Sequence, residues 1–319
     1  MKTADYAYAV ARIRANELRL LSADDYEQLI ACGSIDGIIR LLSEKGWQLN
    51  PQNPVVTCAN EAESAWNLIE ECASDSTLLE VLTVGNDFFN LKAALKAYFS
   101  DNNPDDYFIY PCICNPKLIS EAVKTNNFSL LPSFLTETAK EAYDSLTELL
   151  DGQTAEMIID KACFRALSHY AERSGSNIMK KISEFRIACA DIKTALRCIC
   201  NGKSKEFTSE AMVETRLFDC RALAECSSKE EIIEFLESTS LEFLNDSLKG
   251  GFSAFEDSCE NHIAVLLRES KNDIYGPDPL IAYWFRKNNE IRNVRIIISA
   301  KENNLSSDEI RRRVRMDYV

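Results

Sequence analysis

The chain has 319 residues, enough to bury a large core as one to three domains, and its hydrophobic content of 46% is ordinary for a folded protein. Fifty Asp and Glu against 36 Lys and Arg leave a net charge of −14, which argues against nucleic acid as the main partner because phosphate binding needs clustered cations. Gly (10) and Pro (8) are scarce, which favours long helices, and no stretch approaches the ~18 apolar residues of a membrane span. The start, MKTADYAYAVARIR, lacks the apolar core of a signal peptide, so the twelve cysteines read as reduced, mostly buried thiols of a cytoplasmic protein.

Helix signals dominate in chain order. A first segment is predicted from about Thr3 to Leu21, with Tyr6, Val10, Ile13 and Leu20 on one face. Ser22-Ala23-Asp24-Asp25 restarts a helix in near capping-box form, and Ser34 caps another that ends near Gly46. Helices follow from Thr57 to Cys72 and from Ser76 to Phe99. Asp101 to Pro116 is the most loop-like region, and Asn115-Pro116 reads as a cap and first helical residue. A helix from Pro132 to Leu150 is predicted to stop at Gly152, with Thr154 opening the next and Ser174-Gly175 closing it. Ser176 to Asn201 is helical again.

The final third carries four S/T-x-x-E patterns, at Ser228, Thr239, Ser253 and Ser306, each expected to form a capping box with the Glu three residues on. Gly250-Gly251 ends one helix and Asp278-Pro279 begins the last long one. No alternating strand or hairpin turn is evident, so the fold class is all-α, with about a dozen helices.

A short signature recurs. Asn90-Leu91-Lys92 is echoed by Asp191-Ile192-Lys193 and by Glu290-Ile291-Arg292, at steps of 101 and 99 positions. Each copy pairs a polar acceptor with a branched apolar residue and a cation. Each lies in a long apolar-periodic stretch that stops at Asn: Asn102-Asn103, Asn201-Gly202 and Asn303-Asn304. Asn and Gly tolerate the left-handed conformation that closes a helix. The pattern predicts one helical unit used three times, over residues 1–102, 103–202 and 203–319.

Residues that could carry chemistry are few. His169 and His262 have no companions at metal-ligand spacing and read as packing or surface residues. Cys112/Cys114 and Cys198/Cys200 lack the paired Cys-x-x-Cys units of a zinc site. There is no Walker A, Gly-x-Gly-x-x-Gly or Gly-x-Ser-x-Gly motif, and no catalytic residue, metal or cofactor is assigned. The basic run Arg311-Arg312-Arg313-Val314-Arg315 suits the negative pole of a helix end. It belongs to a C-terminal segment, residues 286–319, that carries +4 on an otherwise acidic chain.

The densest segment is Pro279 to Ile298, where Leu280, Tyr283, Trp284, Ile291, Val294 and Ile298 form a stripe at helical spacing. Among them stand Glu290, Arg292, Asn293 and Arg295. The expectation is that buried Arg–carboxylate pairs fix how the repeats meet one another or a partner, since the guanidinium fork binds carboxylate bidentately. Together with the signature cations Lys92 and Lys193, these are the candidate interface residues.

Pro279-Leu280-Ile281-Ala282-Tyr283-Trp284 leads into Asn289 to Ile296, then a capped closing helix from Ser306 to Arg315 and a terminal Tyr318-Val319. With Tyr6 to Glu17, Leu20 to Ser22 and Tyr26 to Leu29, this resembles the C subunit of the archaeal/vacuolar-type (V/A-type) rotary ATPases, whose counterpart in eukaryotic vacuolar pumps is the d subunit. The resemblance implies a three-part all-helical funnel with pseudo-threefold symmetry. Such a protein sits between the soluble axle of the central stalk and the membrane rotor ring. It has no active site and no cofactor, and it couples ATP turnover elsewhere to proton or sodium transport. The resemblance also implies a place at the cytoplasmic face of the membrane, held there through the complex. Two other functions are open on the residues alone: a free-standing helical-repeat adaptor for other proteins, and an enzyme with an unfamiliar all-α site. The cysteine richness is not part of the resemblance.

Overall fold

The computed structural model describes residues 6–315, except 49, 51 and 52. Among them are sixteen α-helices, four short 3-10 turns and no strand, so the fold is all-α. In chain order they are α1 (Ala7–Glu17), α2 (Ala23–Ala31), α3 (Ile35–Glu44), α4 (Pro54–Cys72), α5 (Ser76–Ser100), α6 (Pro116–Thr125), α7 (Ser133–Thr147) and α8 (Gly152–Arg173). Then come α9 (Asn177–Cys200), α10 (Lys205–Ala211), α11 (Cys220–Ala224), α12 (Lys229–Glu237), α13 (Asn245–Gly250), α14 (Phe252–Arg268), α15 (Asp278–Glu302) and α16 (Ser307–Arg313). No helix among the described residues is long and apolar enough to cross a membrane. The predicted start at Thr3 and the terminal Tyr318-Val319 lie outside the described residues.

Local chemistry explains most boundaries. Ser22 and Asp25 form a reciprocal capping box, and Ser34, Asn115 and Ser176 each accept a backbone N–H at a helix start. The four S/T-x-x-E patterns behave differently from one another. Ser306 and Glu309 make a full box. Ser228 accepts from Glu231 N–H, but the Glu231 carboxylate takes Ser227 N–H instead of that of Ser228. Thr239 precedes only the 3-10 turn Glu242–Leu244, and its hydroxyl oxygen accepts from Leu241 N–H. Ser253 falls inside α14, because Gly251, at φ 102°, lets that helix begin at Phe252.

Gly152 opens α8 rather than stopping α7. Leu150 adopts the left-handed conformation (φ 51°) that breaks the chain. Asp151 then caps the new helix, its carboxylate accepting from Gln153 N–H, Thr154 N–H and the Thr154 hydroxyl.

The three longest helices, α5, α9 and α15, have 25, 24 and 25 residues and end alike. Asp101, Gly202 and Asn304 take positive φ values of 55°, 61° and 55°. The next N–H then closes back on the carbonyl five residues earlier: Asn102 to Ala97, Lys203 to Cys198 and Leu305 to Ala300, each at 2.9 Å. This is the Schellman closure. In the first helix the left-handed residue is Asp101, one position before the expected Asn102.

The chain divides into two compact units. One combines residues 1–75 with residues 261–319. There α15 packs on α1, α3 and α4, and α16 on α2. Tyr26, Leu29, Ile30, Ile38 and Leu42 from the N-terminal helices share one core with Ile291, Val294, Ile297 and Ile298. The two ends of the chain therefore need each other to bury their apolar faces.

The other unit is residues 76–260. In it α5 packs on α6 and α8, α7 on α8, and α8 on α9, which also meets α10, α11 and α12. Phe88 is fully enclosed and meets Phe134 edge-on, with ring centroids 6.1 Å apart. All twelve cysteines are free thiols; six are buried, five half-buried, and Cys200 is exposed.

Candidate functional site: what the long helices hold

Each long helix is followed by a short helical turn and then an extended stretch whose peptide groups belong to no helix. A buried peptide group needs a partner. The partners come from the middle of the long helix. On α5, Asn90 Oδ1 accepts Ile109 N–H (2.8 Å) while its Nδ2 donates to Ile109 O (3.0 Å). On α15, Asn293 does the same for Arg315, at 3.0 and 2.7 Å. On α9, Asp191 Oδ1 accepts Val213 N–H at 3.0 Å, and its other oxygen faces the Cys220 thiol at 3.5 Å.

The third member of this set is thus Asn293, not Glu290. Asn293-Val294-Arg295 has the same polar–branched–cation pattern as the other two triplets. The steps become 101 and 102 positions, the same steps that separate Asp101, Gly202 and Asn304 at the helix ends. Glu290 lies one turn earlier on the same face and does something else. Its carboxylate accepts Leu21 N–H and the Lys287 ammonium, both at 2.6 Å.

The signature cations reach the neighbouring helix. Lys92 meets Asp160 of α8 at 2.5 Å, and Lys193 meets Glu256 of α14 at 3.4 Å. Arg295 instead lies near the Cys58 thiol on α4, where its charge favours the thiolate against burial. Arg292 and Arg295 are both exposed, and among the described residues neither forms a buried ion pair. The buried cation of α15 is Lys287, 4% exposed, held by Glu61 at 2.5 Å and Glu290 at 2.6 Å and stacked over Trp47. The basic run closes α16, where Arg311 binds the Glu27 carboxylate through Nε and Nη2.

Sequence reasoning missed Asp87, Lys287 and Glu61. Asp87, fully buried on α5, accepts from Ile113 N–H (3.0 Å) and Cys114 N–H (2.6 Å). The available signal was a charged residue on an otherwise apolar face, between Val84 and Leu91. Among the described residues, no three His, Cys, Asp or Glu side chains are arranged to hold a metal ion.

Burial sets the charge state of these groups. Desolvation pushes Asp87 up to about 6 and Asp191 up to about 7 against the hydrogen bonds that favour their anions, and it raises Glu290 despite Lys287. The thiols near the two aspartates rise as well, first through burial and then through the adjacent carboxylate.

Two expected outcomes follow from these geometries. Lys287→Met leaves Glu61 and Glu290 buried without their cation and should cost about 3–5 kcal/mol in urea unfolding. Adding Glu61→Gln and Glu290→Gln should recover much of that loss; no recovery would mean that Lys287 acts through packing alone. At Asp191 the folded protein holds its proton more tightly than the unfolded chain. Stability is therefore lost as pH rises from the ordinary carboxyl range through about 7. Asp191→Asn, which keeps an acceptor for Val213 N–H, should gain about 1–3 kcal/mol at alkaline pH and flatten the stability–pH profile. A variant less stable than the parent at alkaline pH would overturn the assignment.

Comparison with known proteins is consistent along the whole chain. A family model described as ATP synthase (C/AC39) subunit matches residues 9–313. The chain is 22% identical to the C subunit of the V-type sodium ATPase of Enterococcus hirae, over 96% of this chain and 97% of that protein. It is 24% identical to the C subunit of the A-type ATP synthase of Methanococcoides burtonii (97% and 94% covered) and 23% identical to that of Methanocaldococcus jannaschii (97% and 86%). With nearly every described residue inside the matched span, the chain belongs to the ATP synthase (C/AC39) subunit family, the C subunits of the V/A-type ATPases.

Proposed function

We propose that this chain is a non-catalytic part of the rotor of a V/A-type ATPase, joining the soluble axle of the central stalk to the membrane rotor ring. In that place it carries torque for ATP-linked transport of protons or sodium ions, at the cytoplasmic face of the membrane. The observation that carries the proposal is the common equipment of α5, α9 and α15. Each has a Schellman end, a polar side chain eleven residues before its left-handed residue that clamps the following segment, and a cation two residues further on.

Under this proposal the chain is three related helical units, residues 1–102, 103–202 and 203–319, arranged as a funnel. In the unit formed by residues 1–75 and 261–319, α1 and α4 pack on the third long helix, α15. Lys92 and Lys193 pair across the boundaries of these three units, with Asp160 and Glu256, and Arg295 lies beside Cys58 of the first, whereas Arg292, exposed, is left for a partner.

The relatives' names place them in sodium ATPase and ATP synthase complexes, and full-length alignment supports the same kind of assembly here. A stiff coupler needs packed helices and broad faces rather than a reactive centre. The acidic body calls for basic complements on its partners.

Co-expression with the axle and ring proteins of the same complex tests the proposal. A stable complex is expected, and its affinity for the axle should fall as salt is added. Arg292→Ala should leave folding within about 0.5 kcal/mol, weaken assembly, and leave hydrolysis by the isolated catalytic headpiece unchanged. Absence of any complex, or a fall in headpiece hydrolysis, would remove the coupling role.

A further inference from the structure

The turn between α7 and α8 carries two leucines that bury little. Leu149 and Leu150 are 69% and 84% exposed, and Leu150 lies in the left-handed region at φ 51°. The other described residues that do so without being glycine are Asp101, Asn126 and Asn304, side-chain types that tolerate the conformation. Neither backbone preference nor burial within the chain accounts for a leucine at this position.

The two leucines flank an apolar trough of about 600 Å³, whose lining includes residues on either side of them in sequence, Leu146 and Gly152. Leu95 of α5 and Ala155 and Ile159 of α8 form its most deeply buried part, each no more than 2% exposed. Phe99 lines the more open part and meets Tyr98 edge-on, with ring centroids 5.1 Å apart. The trough follows α5 from Lys92 to Ser100, about 12 Å at about 1.5 Å per residue, which is the length of about two turns of a docked helix.

The rim is acidic. Lys92 and Lys96 are already matched by Asp160 and Glu156 of α8, at 2.5 and 2.7 Å. Around the trough there remain Asp101, Glu148 and Asp151 against Lys203, whose ammonium donates to Gln153 at 3.0 Å. An aliphatic trough bordered by excess carboxylates suits an apolar surface bordered by cations. It does not suit an anionic bilayer, which those carboxylates repel.

We propose that this trough receives a basic amphipathic helix of a partner protein, whose apolar side chains enter between α5 and α8 along Phe99, Leu149 and Leu150 and whose lysines or arginines face Asp101, Glu148 and Asp151. Apolar anchors at i, i+3, i+4 and i+7 of one helix match the length of the trough. The inference concerns this face and the chemistry of its partner, and it holds whichever complex supplies the helix.

The test is fluorescence anisotropy of a labelled helical peptide of about 15 residues, with leucines at that spacing and lysines beside them, titrated with the full chain at low salt. The peptide should bind with a Kd of about 100 μM or tighter. Leu150→Asn should weaken binding about fivefold or more, with Leu149→Ser as the second variant. Glutamate in place of the peptide's lysines should weaken it about tenfold. Because asparagine tolerates the left-handed conformation, Leu150→Asn should leave the melting temperature unchanged or raise it by about 1–4 °C. A fall in melting temperature would mean that the leucine serves packing within the chain, and would overturn the proposal. So would absence of binding, binding unchanged by both leucine variants, or equal binding of the glutamate peptide. Self-association of the parent chain that Leu150→Asn abolishes would make the occupant a second copy and overturn it as well. Co-expression with the axle and ring proteins is a separate measurement, so failure of the coupling role and failure of this face are distinguishable.

Discussion

A chain that leaves a long helix and turns back beside it carries peptide groups no helix can satisfy, and burying one bare costs about 1–3 kcal/mol. Much else in this protein answers to that constraint. The answer is placed in the middle of the helix, on the face that would otherwise be apolar: Asn90 and Asp87 on α5, Asp191 on α9, Asn293 on α15. An apolar residue at any of these positions would pack well and leave an orphaned N–H opposite. The distance from clamp to helix end is therefore fixed. The returning segment must reach the clamp after one closing turn and one short helix, and eleven residues separate clamp from left-handed residue in all three cases.

The three clamps solve one problem with different chemistry. An asparagine offers a donor and an acceptor and carries no charge, so it can satisfy both peptide groups of one residue without an electrostatic penalty. Aspartate can only accept while ionised, and burial penalises its charge, which is why Asp191 rises to about 7. Glu290 shows a third arrangement. It takes a backbone N–H from Leu21 and shares Lys287 with Glu61, so that two buried carboxylates are held by one ammonium. The desolvation cost of burying that cluster offsets most of its attraction, so removing one partner costs far more than the intact cluster contributes.

The parts legible in the sequence were those set by neighbours along the chain. The caps at Ser22, Ser34, Asn115, Ser176 and Ser306 each involve residues within three positions, and their side chains advertise the role. Gly152 was misleading because glycine permits both a stop and a start. Only the Asp151 carboxylate beside it decides which. The slip from Asn293 to Glu290 has a similar origin. The two lie one helical turn apart on one face, so periodicity alone cannot tell them apart. What separates them is a partner far away in sequence: Arg315 for one, Leu21 for the other. Long-range pairing also explains why Lys287 stayed hidden. Its role depends on Glu61, more than two hundred residues earlier.

For the proposed coupling role, the placement of these polar contacts matters more than their number. Ion pairs such as Lys92–Asp160 and Lys193–Glu256 are partly exposed, and pairs of that kind contribute about 0–1 kcal/mol each. They would yield easily under load. The clamps are buried and directional, and each ties a helix to a segment that must otherwise slide along it. Sliding by one residue breaks both bonds of Asn90 or Asn293 at once and leaves the fully buried side-chain amide without its partners. Stiffness against shear then resides in the interior and is little screened by salt, whereas recognition of partners resides on the charged exterior and is. Separating the two lets a rotor element keep its shape while the strength of its attachments is set independently by surface charge.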